Sequence, residues 1–240
     1  MKSHDLFYSE TKNFRTKPKF KWLYLSKIIT KKIKKKKLIF FDIGTARGEA
    51  ILFFRKKFPS LRLVGGEINN TLIKFAKKYT KEKIIYFDFN SKNLNKYKIK
   101  PDIIHASGVR GYFNDSTIKN LIKITNKGGY IYIYGNFNDY PIDYILKYRV
   151  LDNNVDFNSS NYQSGWSRSS KFTIRQLLKK NKKVKSFKFY DVPFPKNLNI
   201  KKKKNDPLRS WTINYKKKKY FMNGLGIISK EKILEIKIKN

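Results

Sequence analysis

Residues 38–50, Leu-Ile-Phe-Phe-Asp-Ile-Gly-Thr-Ala-Arg-Gly-Glu-Ala, restrict this chain more than any other stretch. A short apolar run ends in an acid, Asp42, and two glycines, Gly44 and Gly48, lead into an apolar pattern of helical spacing. That order is a buried parallel strand, a tight turn and a helix. A ligand reaches the peptide chain only where side chains are absent, so Gly44 and Gly48 mark where a nucleotide-like molecule would lie. A glycine-rich βα turn without a ligand carries the same residues, so the downstream partners of the turn decide between the two.

Glu67 ends a second apolar run, Leu-Arg-Leu-Val-Gly-Gly-Glu. It stands about 20 residues beyond the turn, the spacing at which an acid in a βαβ unit reaches a ribose. It also stands where an N-cap for the following helix belongs, a place that Asn69 or Asn70 fills equally well. Asp88 closes a third short strand, Lys83–Phe87, with Phe89 after it. A carboxylate there suits an exocyclic adenine amine with a ring packed beside it, and equally suits an ordinary loop.

Strands and helices alternate through this half of the chain. Strands are predicted over 38–43, 61–66, 83–87, 102–106 and 129–134, and helices over 48–57, 69–79 and 116–125, the last opened by Asp115 or Ser116. Such alternation specifies a parallel, doubly wound sheet with ligands at the C-terminal ends of its strands. Asp42, Glu67, Asp88 and His105 all fall at such ends. Before this core, Trp22, Leu23, Leu25, Ile28, Ile29 and Ile33 recur at helical spacing and predict an amphipathic helix over 20–35. Beyond it the pattern is irregular: a short helix over 140–150, a polar stretch over 152–170, a helix over 173–180, a strand over 184–190 and a hairpin over 210–224.

The turn fails two nucleotide motifs. A dinucleotide fingerprint needs glycine at 46 and 49, where Ala46 and Glu49 stand, and no Gly-Lys-Ser/Thr follows as in a P-loop. The turn resembles instead the first motif of the class I S-adenosylmethionine-dependent methyltransferases, with Asp42, Gly44, Ala46 and Gly48 in the places of an acid and three glycines. The resemblance runs on through Glu67, Asp88, Pro101–Gly108 and Lys127–Tyr134, covering residues 38–135. It implies an α/β, doubly wound, mostly parallel seven-stranded sheet, with an N-terminal helical extension (1–37). The methyltransferase domain (38–240) would divide into a core (38–135), a lid or insertion (136–172) and C-terminal strands (173–240).

The resemblance also implies S-adenosyl-L-methionine as cofactor. Asp42 would hold its amino group, Gly44, Thr45, Ala46 and Gly48 would cradle its methionine part, Glu67 would bind the ribose, and Ile68, Asp88 and Phe89 the adenine. His105 would lie beside the cofactor. It is the candidate general base if the acceptor has a proton to lose, or else a ring that packs under the cofactor or hydrogen-bonds a loop. On the acceptor side stand Ser107, Arg110 and Tyr112, and a lid bearing Trp166 and Arg168 that would hold a carboxylate or phosphate. The same two residues equally suit a sheet-edge Trp and a solvated Arg. No Asn-Pro-Pro-Tyr-type motif follows the fourth strand, which argues against the amino-methylating subgroup that uses one.

Composition bounds the partners. The chain has no cysteine, so disulfides, thiolate zinc sites and a cysteine nucleophile are excluded, and with two histidines no multi-histidine metal site is expected. No apolar run approaches the ~20 residues of a membrane helix, and the first ten residues lack a signal-peptide core, so a cytoplasmic protein is expected. The net charge of +39 attracts polyanions, yet the excess is almost all lysine, with runs at 34–37, 201–204 and 216–219 placed between elements. The expected activity is methyl transfer to a small-molecule, glycan or lipid-precursor acceptor. An RNA methyltransferase and a non-catalytic binding or scaffold module with the same fold are the alternatives.

Overall fold

The computed structural model describes residues 17–33, 37–109, 113, 116–148, 163–202 and 210–240, the side chains of 148 and 163–166 excepted. Its elements, in chain order, begin with α1 (Phe20–Thr30), β1 (Ile39–Ile43), α2 (Glu49–Lys57), β2 (Arg62–Glu67), α3 (Asn70–Thr80) and β3 (Lys83–Tyr86). A 3₁₀ turn (Leu94–Tyr97), β4 (Ile103–Ser107), α4 (Thr117–Ile124), β5 (Tyr130–Gly135), β6 (Tyr144–Tyr148), β7 (Gln163–Arg168) and α5 (Lys171–Lys179) follow. The chain ends in β8 (Val184–Asp191), β9 (Trp211–Tyr215), β10 (Lys218–Met222) and β11 (Lys232–Ile238).

Seven strands form one sheet in the order β3-β2-β1-β4-β5-β11-β8. The pairs among β1 to β5 are parallel, and β11 runs antiparallel to both its neighbours. The apolar run Ile39–Ile43 is continuous because both faces of the central strand are covered. Side chains alternate across the pleat. Phe41 and Ile43 therefore join Ile104, Ile131 and Leu234 under α4 and α5, whereas Phe40 joins Ile103, Tyr132 and Ile233 under α1 and α2. Trp22, Leu25, Ile28 and Ile29 give α1 its buried stripe.

The expected alternation from 38 to 135 is present, with element ends shifted by a residue or two. Beyond it, three expectations are corrected. The helix expected over 20–35 stops at Thr30, where Lys31 serves as its C-cap. The segment expected as a short helix near 140–150 holds a strand, β6, which pairs antiparallel with β7. Tyr144-Ile-Leu-Lys-Tyr148 is rich in residues that favour strands, and Pro141 stands just before it. The hairpin over 210–224 exists as β9–β10 but forms its own two-stranded sheet. The final antiparallel strand of the main sheet is Lys232–Ile238, whose alternation Ile-Leu-Glu-Ile-Lys-Ile went unused in the sequence reading. Among the described residues no helix is long and apolar enough to cross a membrane.

The turn after β1 is set by packing as much as by any ligand. Gly48 has φ of +83°, and a Cβ on it would come within 2.2 Å of Thr80 Cγ2 and 3.6 Å of Ala76 Cβ, in the last turns of α3. Its bare α-carbon therefore lets α2 and α3 meet, a packing reason for the glycine that needs no ligand. Gly48→Ala is expected to lower the unfolding free energy by about 2–4 kcal/mol without any ligand present, from left-handed strain plus overpacking. Urea unfolding measures this, and an unchanged midpoint would mean that α2 and α3 do not pack through this residue.

Candidate active site

The C-terminal tips of β1, β2, β3 and β4 bring the candidate carboxylates to one pole of the sheet. Asp42 and His105 are register partners on adjacent strands. Asp42 is buried; its Oδ1 lies 2.7 Å from His105 Nδ1, and its Oδ2 accepts the Thr45 hydroxyl at 2.8 Å. The His105 ring is 1% exposed and wedged by Phe40 and Phe54, at centroid distances of 5.9 and 5.3 Å. A carboxylate at Nδ1 fixes which ring nitrogen carries the proton. The partner of this ring is a strand carboxylate, Asp42 of β1.

Glu67 does something the sequence did not announce. Its Oε2 accepts the Ala46 N–H at 2.9 Å, and its Oε1 accepts the N–H groups of Ile68 and Asn69 at 2.9 and 3.1 Å. The capping of α3 belongs to Asn69, whose side chain accepts from Thr71 and Leu72. Glu67 is thereby released from the capping role and joins the glycine turn to the tip of β2. Gly44 donates to Gly66 O at 2.8 Å, and its α-carbon faces Val109 from the loop after β4. Ala46 holds φ of +48°, a conformation that favours glycine.

Beyond β3, Asp88 Oδ1 accepts the Asn90 N–H at 2.9 Å, while the Asp88 N–H donates to the Tyr97 hydroxyl at 3.0 Å. Phe89 is half-buried and packs on Phe113 at 5.2 Å. Ile68 is 52% exposed at the tip of β2. Each oxygen of a carboxylate accepts two hydrogen bonds, so Glu67 Oε2 and both oxygens of Asp88 keep acceptor capacity. A bent turn, two acceptor carboxylates and an exposed apolar side chain fit a nucleoside with ribose hydroxyls, an amine and a flat ring.

No family model matches the sequence, and no curated protein matches it. Solved structures do match. TehB from Haemophilus influenzae superposes with a TM-score of 0.52 at 16% identity, over 98% of this chain and 66% of that one. Magnesium protoporphyrin IX methyltransferase (ChlM) from Synechocystis PCC 6803, with bound SAM, gives a TM-score of 0.50 at 10% identity, over 92% of this chain and 78% of that one. This chain has the Rossmann-like methyltransferase fold. It spans only 21% of PKMT2 from Rickettsia typhi, to which 42% of it aligns at 21% identity with a TM-score of 0.37.

The residues expected on the acceptor side belong to the pole above β4 and β5. The β6–β7 hairpin lies there: Ser167 Oγ donates to Phe113 O at 3.4 Å, and Ser170 bridges to Asn138, beyond the end of β5. Arg168 lies 5.4 Å over the Tyr144 ring, and its Nη2 reaches the Asn136 amide oxygen at 3.3 Å in the orientation that lets the amide nitrogen donate to Lys230 O. Burial holds the Arg168 guanidinium below the usual arginine range, with Tyr144 acting against it. No carboxylate pairs with Arg168 among the described residues. Arg110 and Tyr112 lie outside the described residues, as does the Trp166 side chain.

Nothing in the sequence singles out Lys21, Tyr132, Tyr134 or Glu231. Under α1, a narrow crevice is lined by Lys21, His105, Ser107, Tyr132 and Tyr134. The Ser107 and Tyr134 hydroxyls are buried there without hydrogen-bond partners among the described residues, and Lys21 Nζ lies 4.0 Å over the Tyr134 ring. Burial pushes the Glu231 carboxyl up from 4.5 to about 7, with Lys21 and then Lys19 drawing it back. Lysine is everywhere in this sequence and the tyrosines read as strand residues, so only the fold separates these four from the rest.

Glu231 sets a pH dependence. Between its ordinary value of 4.5 and about 7, the folded chain holds a proton there that the unfolded chain has lost. Stability therefore falls as pH rises through that window, and the penalty is complete above it. Glu231→Gln is expected to be more stable than the parent at about pH 8 and nearly equal to it at about pH 4. Urea unfolding at the two pH values reads this; a difference that does not change with pH would reject it.

Proposed function

We propose that this chain is an S-adenosyl-L-methionine-dependent methyltransferase whose acceptor is a small molecule, glycan or lipid precursor carrying an anionic group. The observation that carries the reading is the link through Glu67, which sets a turn of low side-chain bulk and two strand-tip carboxylates around one place on a methyltransferase fold. ChlM, which shares this fold and whose structure holds SAM, supports it.

Glu67 Oε2 takes a ribose hydroxyl while keeping its backbone bonds. Asp88 takes the adenine amine, with Ile68 and Phe89 against the ring. The turn Gly44–Ala46 and the first turn of α2 receive the amino-acid end, where unpaired helix N–H groups suit a carboxylate. The cofactor supplies an electrophilic methyl group on a sulfonium; the protein's work is to align the nucleophile and exclude water. Asp42, held by Thr45 and His105, fixes the turn from below. His105 is assigned to that positioning task, because a ring 1% exposed between two phenylalanines does not meet an incoming acceptor. The β6–β7 hairpin serves as the lid, and Arg168 supplies a partly desolvated cation for the acceptor's carboxylate or phosphate.

The net charge of +39 favours a second reading, an RNA acceptor. Co-purifying RNA and a steep salt dependence of binding would bring it to the front.

Isothermal titration with S-adenosylhomocysteine tests the first reading. Binding is expected, with Glu67→Gln weakening it by about tenfold or more and Arg168→Gln leaving it unchanged. No binding by the parent chain would sink the cofactor assignment and leave a scaffold with the same fold.

A further inference from the structure

A second cavity lies at the opposite pole, far from Asp42, Glu67 and Asp88. It has a volume of about 400 Å³ and opens among the N-terminal ends of β1, β4 and β5, the end of β11 and the last turn of α1. That volume is in the range of small-ligand sites, about 300–1,000 Å³. Isoleucines of α1 and β4 line it together with Lys31, Lys32, Lys127 and Lys237.

The charge inside it is unbalanced. Lys32 is matched by Glu235 at 3.3 Å, and Lys237 donates to Gly128 O while lying 3.8 Å over the Tyr130 ring. Lys31 and Lys127 pair with no carboxylate among the described residues. Asp102 is an acid in the wall: Oδ2 accepts the Ile39 N–H at 2.8 Å and Oδ1 accepts the Asn126 amide at 2.9 Å, neutral donors that leave its charge in place. Four ammonium groups against the carboxylates of Asp102 and Glu235 leave the lining net positive, and a concave wall concentrates that field.

Tyr132 closes the inner wall, 1% exposed, with its hydroxyl buried beside Glu235.

We propose that this cavity is a binding site for a small phosphorylated molecule, with Lys31 and Lys127 on the phosphate and the apolar wall on its body. Lysine ammoniums act as point charges on phosphate. The site is separate from the cofactor-binding reading and does not depend on it.

Titration calorimetry of the full chain with inorganic pyrophosphate and with ATP, at about 150 mM salt, tests it. Both probes are expected to bind at one site. The double variant Lys31→Glu, Lys127→Glu should weaken both by about tenfold or more. The control pair Lys56→Glu, Lys57→Glu, exposed at the end of α2, should change neither by more than about twofold. Equal losses in the two pairs would show general attraction to a chain of charge +39 and overturn the proposal, as would unchanged binding in the first pair. S-adenosylhomocysteine binding, followed in the same variants, reports on the other pole and separates failure of this site from failure of that assignment.

Discussion

The Glu67 carboxylate accepts three backbone N–H groups, one from the turn after β1 and two from its own strand tip. Hydrogen bonds to a charged group are worth about 1.5–3 kcal/mol each, and a buried N–H left without a partner costs a comparable amount. The interaction fixes Ala46 in its left-handed conformation, which costs an alanine roughly 1–2 kcal/mol. Everything at the candidate cofactor site follows from that clamp. Asp42 is held below the turn by Thr45 and His105, Gly44 is hydrogen-bonded to the carbonyl of Gly66, and Ile68 is left facing outward at the tip.

The two faces of the sheet serve different ends. The face under α4 and α5 is a plain apolar core of isoleucine, leucine and phenylalanine. The face under α1 and α2 carries the polar exceptions, His105, Tyr132 and Tyr134, along with the tryptophan stripe of α1. Buried polar groups are costly unless matched, so their concentration under one helix sets that face apart from a core built only for stability. The helix that covers them also supplies Lys21 above one pole and Lys31 at the other.

Much of the fold was legible in one dimension. The run Leu38–Ile43, the turn at Gly44 and the alternation that follows gave the parallel half of the sheet, because period and glycine placement are local properties. Past Gly135 the reading weakened. Tyr144–Tyr148 is too short to separate a strand from a helix by period, and the hairpin expected over 210–224, which turns through left-handed Lys216 and Lys217, stays outside the main sheet that Lys232–Ile238 enters. Which of two equally strand-like segments enters the sheet depends on what its faces meet, and that is not a local property.

For the site, the amino-acid sequence by itself settled which residues stand at strand ends: Asp42, Glu67, Asp88 and His105 follow from alternation alone. Only the tertiary structure decided what each one does there. It gave Glu67 to the turn and the capping of α3 to Asn69, turned His105 onto Asp42 between two phenylalanine rings, set α3 against the bare α-carbon of Gly48, and put Arg168 over Tyr144 without a carboxylate partner among the described residues. The reason is reach: a strand end is fixed by its neighbours in sequence, whereas hydrogen bonds, burial and unmatched charge arise between residues tens of positions apart, where sequence spacing carries no distance.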